Sequence, residues 1–90
     1  MMSLEKLLSS KGRVRILKVL LEEEQVNITR LVRETGLHHR LVVRHLEELK
    51  EMGLVEERRY GRLRVFEVNL KDPRVSALRE LLRSIERILG

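Results

Sequence analysis

A mainly α fold closed by one small β-hairpin, an α+β arrangement, is predicted by three features of this 90-residue chain. Residues 36–55, GLHHRLVVRHLEELKEMGLV, read as a helix with a glycine at each end. Residues 56–68, EERRYGRLRVFEV, read as two short strands that meet at a glycine, with arginines crowding the tip. Shorter apolar-periodic segments upstream, and one downstream, complete the order helix, helix, short strand, helix, helix, strand, strand, helix. That is the layout of a winged helix-turn-helix, a module that sets one helix in the major groove of DNA with a hairpin beside it.

Each element has a local reason. Leu4, Leu7 and Leu8 suggest a short amphipathic helix ending within residues 9–12. A second helix spans residues 12–23, with Val14, Leu17, Leu20 and Leu21 at helical spacing. Gln25-Val26-Asn27 is a short extended piece, and Asn27 is a good N-cap because its side chain can accept from an otherwise unbonded amide. The following helix, residues 28–35, buries Ile28, Leu31 and Val32 and stops at Gly36, which suits a left-handed position after a helix. The long helix, residues 38–52, stops at Gly53 in the same way, with Val42, Leu46, Leu49 and Gly53 on its inward stripe. Strands over residues 54–59 and 63–70 join through Tyr60-Gly61. Asp72-Pro73 pairs an N-cap with a first-turn proline and opens a last helix that runs to Leu89. The chain thus divides into an N-terminal helix (1–10), a core (11–70) and a C-terminal helix (72–89), all in one domain (1–90).

Charge along the long helix runs against helix stability, which favours acids in the first turn and bases in the last. His38, His39, Arg40 and Arg44 occupy its first half, and Glu47, Glu48 and Glu51 follow. Arg40 and Arg44, four residues apart, repel one another by roughly a few tenths of a kcal/mol on a free helix. A merely solvated basic face is the bland alternative. Cations gathered where they cost stability argue instead for an anionic partner.

The net charge of +5 supports that direction, but its placement says more. Residues 1–36 carry 7 basic and 5 acidic groups and residues 65–90 carry 5 and 4, whereas RRYGRLR at 58–64 holds four arginines and no acid. There is no Cys, which removes thiol redox chemistry, thiolate nucleophiles and thiolate metal sites. A domain this small buries a modest share of its surface, so packing against a second copy would help it. The start, MMSLEKLLSS, has no long apolar run, and a cytoplasmic protein is expected. Arginine outnumbers lysine 14 to 5 and charged residues reach 37%, a mix that suits a heat-adapted, thermophile chain.

Three ordered segments carry a resemblance. KGRVRILKVLLE, in which Arg13, Ile16, Leu17 and Leu20 match, is similar to the first core helix of the ArsR-type winged helix-turn-helix repressors. NITRLVRETGL resembles their positioning helix, and VVRHLEELKEMGLVEERRYGRLRVFEV their recognition helix and wing. The resemblance covers some two thirds of the chain, from about Lys11 to Leu70. It implies sequence-specific DNA binding as a dimer, usually to repress transcription. The chain departs from the family at His38, His39, Leu41 and Val43, where many members have small hydroxyl or amide residues, and at Glu47, where a base is common. Members that sense metals do so through Cys pairs or His/Asp/Glu clusters, whereas this chain has no Cys and its last helix no His.

Within that frame Arg40 and Arg44 are candidates for base or phosphate contact, arginine to guanine being the commonest specific pairing. His38 and His39 are candidates for phosphate or base contact. Leu41 and Val43 either touch thymine methyl groups or widen the core face, and Glu47 either accepts from cytosine or pairs with Arg44. Arg58, Arg59, Arg62 and Arg64 would run the wing along the backbone or into the minor groove. Strand alternation prevents all four from pointing the same way. Lys11 and Arg30 would hold flanking phosphates. His38 and His45 are seven apart, about 10 Å along a helix, too far to share an ion, so no metal is expected and His45 is assigned partial burial. With one Asp, no Cys, and no Ser set with a His and an acid at a recognisable spacing, neither catalysis nor a cofactor is expected.

In the last helix Val75, Leu78, Leu82, Ile85 and Leu89 repeat at the spacing of a coiled-coil seam, widened by Leu81 and Ile88. A contact within one chain is the simpler reading. The number of large aliphatics favours homodimerisation through this helix, with Leu4, Leu7 and Leu8 packed beside it. Arg79, Arg83 and Arg87 form an outer ridge, solvated or paired with acids of the second copy. Two further readings stay open: a nonspecific architectural DNA binder, and a protein-docking module of a transcription or replication assembly with Leu41 and Val43 as its anchors.

Overall fold

The computed structural model describes residues 4–90, so Met1 to Ser3 of the expected N-terminal helix lie outside the described residues. The elements are α1 (Leu4–Leu8), α2 (Lys11–Glu22), β1 (Val26–Asn27), α3 (Ile28–Thr35), α4 (His39–Glu51), β2 (Val55–Tyr60), β3 (Leu63–Val68) and α5 (Pro73–Leu89). Side chains cap three helix starts. The Arg13 amide donates to Ser10 Oγ at 3.2 Å, the Arg30 amide to Asn27 Oδ1 at 2.8 Å and the Arg74 amide to Asp72 Oδ1 at 2.9 Å. At α4 the N-cap residue His38 is extended, its side chain caps nothing, and the first turn holds no acid.

The far end of α4 closes with a Schellman motif. The Leu54 amide donates to the Leu49 carbonyl and the Gly53 amide to that of Lys50, while Gly53 takes the left-handed conformation, φ 78°. Leu49 and Leu54, the apolar pair that accompanies such a motif, are fully buried. Between α3 and α4, Thr35 is buried, and its hydroxyl donates to the Leu31 carbonyl and accepts from the Leu37 amide. The C-terminal end of α4 is therefore set by specific bonds, and the turn that leads into it is held by Thr35.

Beneath α4 lies one core in which Ile16, Leu20, Leu31, Val42, Leu46, Leu49, Leu54 and Phe66 have no exposed surface. Truncating Phe66 to Ala would cost about 3–5 kcal/mol in such packing. On α2 the inward positions include Arg13 and Ile16, and Val14, expected on the stripe, is only half-buried. Both residues lie near the edge of the apolar face. The side chain taken inside is the one that finds a carboxylate there.

The strands form one antiparallel sheet in the order β1-β3-β2. β1 pairs Val26 with Phe66 and Asn27 with Val65, which extends the hairpin to a third strand and ties the entrance of α3 to the wing. Tyr60 pairs with Leu63, so the hairpin turns through Gly61-Arg62 and not through Tyr60-Gly61. Gly61 has φ 62°, the positive value that a II′ hairpin turn needs at its first loop residue. The second strand ends at Val68, short of the expected residue 70: the Asn69 amide makes a last in-register bond to the Leu54 carbonyl, and the Asp72 amide then donates back to the Asn69 carbonyl in a turn.

Helix α5 lays Val75 into the core, with Leu78 and Leu82 packed against it. Leu7 of α1 is also core. Interface roles for Leu7 and Val75 are therefore corrected, since their side chains are taken up inside their own chain. Leu4, Leu8, Leu81, Ile85, Ile88 and Leu89 remain exposed. No helix among the described residues is long and apolar enough to cross a membrane.

Candidate nucleic-acid interface

Because Val42, Leu46 and Leu49 turn inward, the opposite face of α4 is delivered to solvent. His38, His39, Arg40 and Arg44 are exposed and, with the half-buried Leu41, line one shallow depression. Among the described residues, the side chains of His38, His39 and Arg40 make no hydrogen bond or ion pair. Val43 packs against the core.

The wing is sorted by register. Residues paired across an antiparallel ladder share a face, so Glu57, Arg59, Arg64 and Phe66 lie on one side of the hairpin and Arg58, Val65 and Glu67 on the other. On the first side, the largely buried Glu57 carboxylate accepts from Arg64 (2.7 and 3.1 Å), Lys50 of α4 (2.8 Å) and Arg59 (3.2 Å). These bonds, led by Arg64, hold its carboxyl at about 2, below the ordinary 4.5. Arg64 also reaches Glu47 at 3.1 Å and lies 5.4 Å above the Phe66 ring. Arg64, expected at the DNA backbone, has its guanidinium engaged by two carboxylates and a ring, as a strut between β3 and α4. Glu47 pairs with Arg64 and with Lys50 (3.6 Å), while Arg44 sits beside Glu48.

Three wing arginines stay exposed. Arg58 donates to Glu67 at 2.6 Å, and that bond raises its pKa. Arg59 touches Glu57 from the rim, and Arg62 stands at the tip with no partner among the described residues. Arg62 and Arg64 share a groove with Asn27, Thr29 and His39, so the wing tip and the start of α4 form one continuous surface. Of the two flanking candidates, Lys11 is exposed at the start of α2, and Arg30 is held between Glu23 (2.8 Å) and Glu34 (3.3 Å).

The sequence reading missed a buried polar cluster behind α4. Arg13, 6% exposed, donates to the Lys6 carbonyl at 2.7 Å and also to Glu48. His45, buried beyond the partial burial expected, has its Nδ1 3.8 Å from Glu48 and without a hydrogen bond. Burial lowers its pKa, with Arg13 and Arg44 acting in the same sense and Glu48 opposing. One signal was available: Arg13 stands at the head of the spacing Arg13, Ile16, Leu17, Leu20, an odd place for an arginine unless it is paired.

The model of the family described as "Bacterial regulatory protein, arsR family" matches residues 10–57, more than half of the chain. The chain belongs to the arsR family. The five helices and three-stranded sheet of the described residues have the fold of that family's winged helix-turn-helix repressors. The AntR antimony-specific transcriptional repressor is 26% identical over 92% of this chain and 74% of its own, with a TM-score of 0.76. A homodimeric winged helix-turn-helix domain from Mycobacterium bovis, described as a possible ArsR-family regulator, is 26% identical over 91% of this chain and 73% of its own, TM-score 0.73. HlyU from Vibrio cholerae is 26% identical over 91% and 86%, TM-score 0.78. No curated protein sequence matches the chain.

Proposed function

We propose that this arsR-family chain is a sequence-specific double-stranded DNA-binding transcriptional repressor that acts as a homodimer on a pseudo-palindromic operator. One observation carries the reading. The uncapped start of α4 presents His38, His39, Arg40 and Arg44 around one exposed depression, and His39 shares a groove with Arg62 of the wing tip. Arg40 and Arg44 meet base edges or phosphates in the major groove, and the wing arginines follow the backbone beside it. Leu4, Leu8, Leu81, Ile85, Ile88 and Leu89 form the surface for the second copy, a reading supported by the homodimeric Mycobacterium relative. Two copies related by a two-fold axis would place their α4 helices in successive major grooves, about one helical turn apart.

In vitro selection of bound duplexes tests this directly. The expected result is a symmetric consensus whose half-sites lie about 10 base pairs apart. Arg44→Ala should then relax preference at one symmetric pair of positions, at about 1–3 kcal/mol per lost contact. Binding with no consensus would leave a nonspecific architectural protein, and no binding at all would leave a docking module.

A further inference from the structure

We propose that Glu48, fixed from behind by Arg13, is the positioning residue that orients Arg44 and so sets the base selectivity of α4. The inference rests on the reading of Arg44 as a base-contacting side chain. Its physical basis is the division of labour between the two oxygens of one carboxylate.

Glu48 Oε2 accepts from Arg13 Nη2, and Arg13 is anchored in turn through Nη1 to the Lys6 carbonyl of α1. Glu48 Oε1 points the other way, 3.9 Å from Arg44 Nε and 3.8 Å from His45 Nδ1. Arg44 is the exposed member of this group, its side chain 68% accessible. An arginine on an open helix face loses much rotamer freedom when it docks against a base. A carboxylate one turn along restrains that freedom in advance, as preorganised sites require. The contact is loose enough to leave the terminal nitrogens of Arg44 without partners, free to face a guanine edge. Arg13 holds Oε2, so Arg44 meets Glu48 through Oε1 alone and not as a two-pronged pair that would compete with DNA. The same guanidinium fastens α1, which carries Leu4 and Leu8, to the helix that carries Arg44. The proposed self-association surface and the base-reading side chain thus share one buried link.

Glu48→Gln tests the idea, since glutamine keeps the size and a carbonyl for Arg13 but has no charge for Arg44. Competition binding compares the selected operator with operators altered at the base pairs that Arg44→Ala relaxes. Discrimination at those pairs should fall about tenfold, affinity for unrelated DNA should not fall, and in an Arg44→Ala background the change should have no effect there. Nitrogen relaxation of the free wild-type protein gives a measurement independent of the variant's folding: Arg44 Nε should be more ordered than Arg40 Nε. Unchanged discrimination in Glu48→Gln, an equal loss in the Arg44→Ala background, or equal disorder at the two arginines overturns the proposal alone. A wild-type protein without base preference overturns it together with the proposed function.

Discussion

Arg62 and Arg64 lie two residues apart in the wing and should fail in opposite ways when truncated. Arg62 has no partner among the described residues and stands in the turn, so Arg62→Ala should leave stability within about 0.5 kcal/mol of wild type. Its loss should appear in DNA binding. Each phosphate contact removed flattens the log–log salt dependence by about 0.9, and a two-fold complex loses one from each copy, so the slope should drop by roughly 1.8. Arg64 makes three hydrogen bonds, two to Glu57 and one to Glu47, and covers the ring of Phe66. Orphaning a buried charge outright costs about 3–5 kcal/mol. Glu57 keeps Lys50 and Arg59 as partners, so a smaller loss of about 1–2 kcal/mol is expected for Arg64→Ala. For a domain of this size that lowers the melting temperature by roughly 5–15 °C. Thermal melts, and fluorescence anisotropy with labelled operator across a salt series, measure both quantities. An Arg64→Ala protein that melts like wild type yet flattens the salt slope as much as Arg62→Ala would refute the division between strut and tip.

Three further outcomes follow from the geometry. Leu81→Glu with Ile85→Glu alters only exposed positions of α5 and should yield a folded monomer that binds the operator weakly; sedimentation of the wild type as a monomer at micromolar concentrations would refute the interface. The Glu57 carboxyl titrates at about 2 in the folded chain against an ordinary 4.5, so its stabilising effect is complete above 4.5 and lost as pH falls toward 2. Urea melts of Glu57→Gln should be flatter than wild type across that window, and an unchanged pH profile would show that the carboxylate is not held. A Cβ added at Gly12 would sit 3.0 Å from His45 Nε2 and 3.3 Å from Leu37 Cδ1. Gly12→Ala should therefore destabilise by about 1 kcal/mol despite its better helix propensity, and a rise in melting temperature would show that His45 yields.

Much of the site was legible before the fold because its signals are local. The reversed charge order of α4 and the arginines of the hairpin tip can be read from neighbouring residues, and the α4 face and the exposed Arg62 lie where those signals put them. What the sequence left undecided has one character. Arg64 alternates with Arg62 in a cationic run, and only the register with β2 shows that it faces Glu57. Leu7 and Val75 continue apolar seams that a partner could cover equally well, and only the shape of the core takes them inside.

The sequence by itself determined the order of elements, their caps and the inward stripe of α4, because backbone capping and helical periodicity act over three or four residues. Asn27, Asp72, Gly36 and Gly53 act within one turn of their own positions, and no distant contact is needed to read them. Only the tertiary structure decided which polar side chains go inside. Burial of Arg13 depends on Glu48, 35 residues away, and the saturation of Arg64 depends on Glu47, 17 residues away on another element. The two-residue strand β1 acquires its identity only from Phe66 and Val65 across the sheet. Burying a charge is favourable only once its partner has arrived, and that arrival is a property of the fold and not of any segment of the chain.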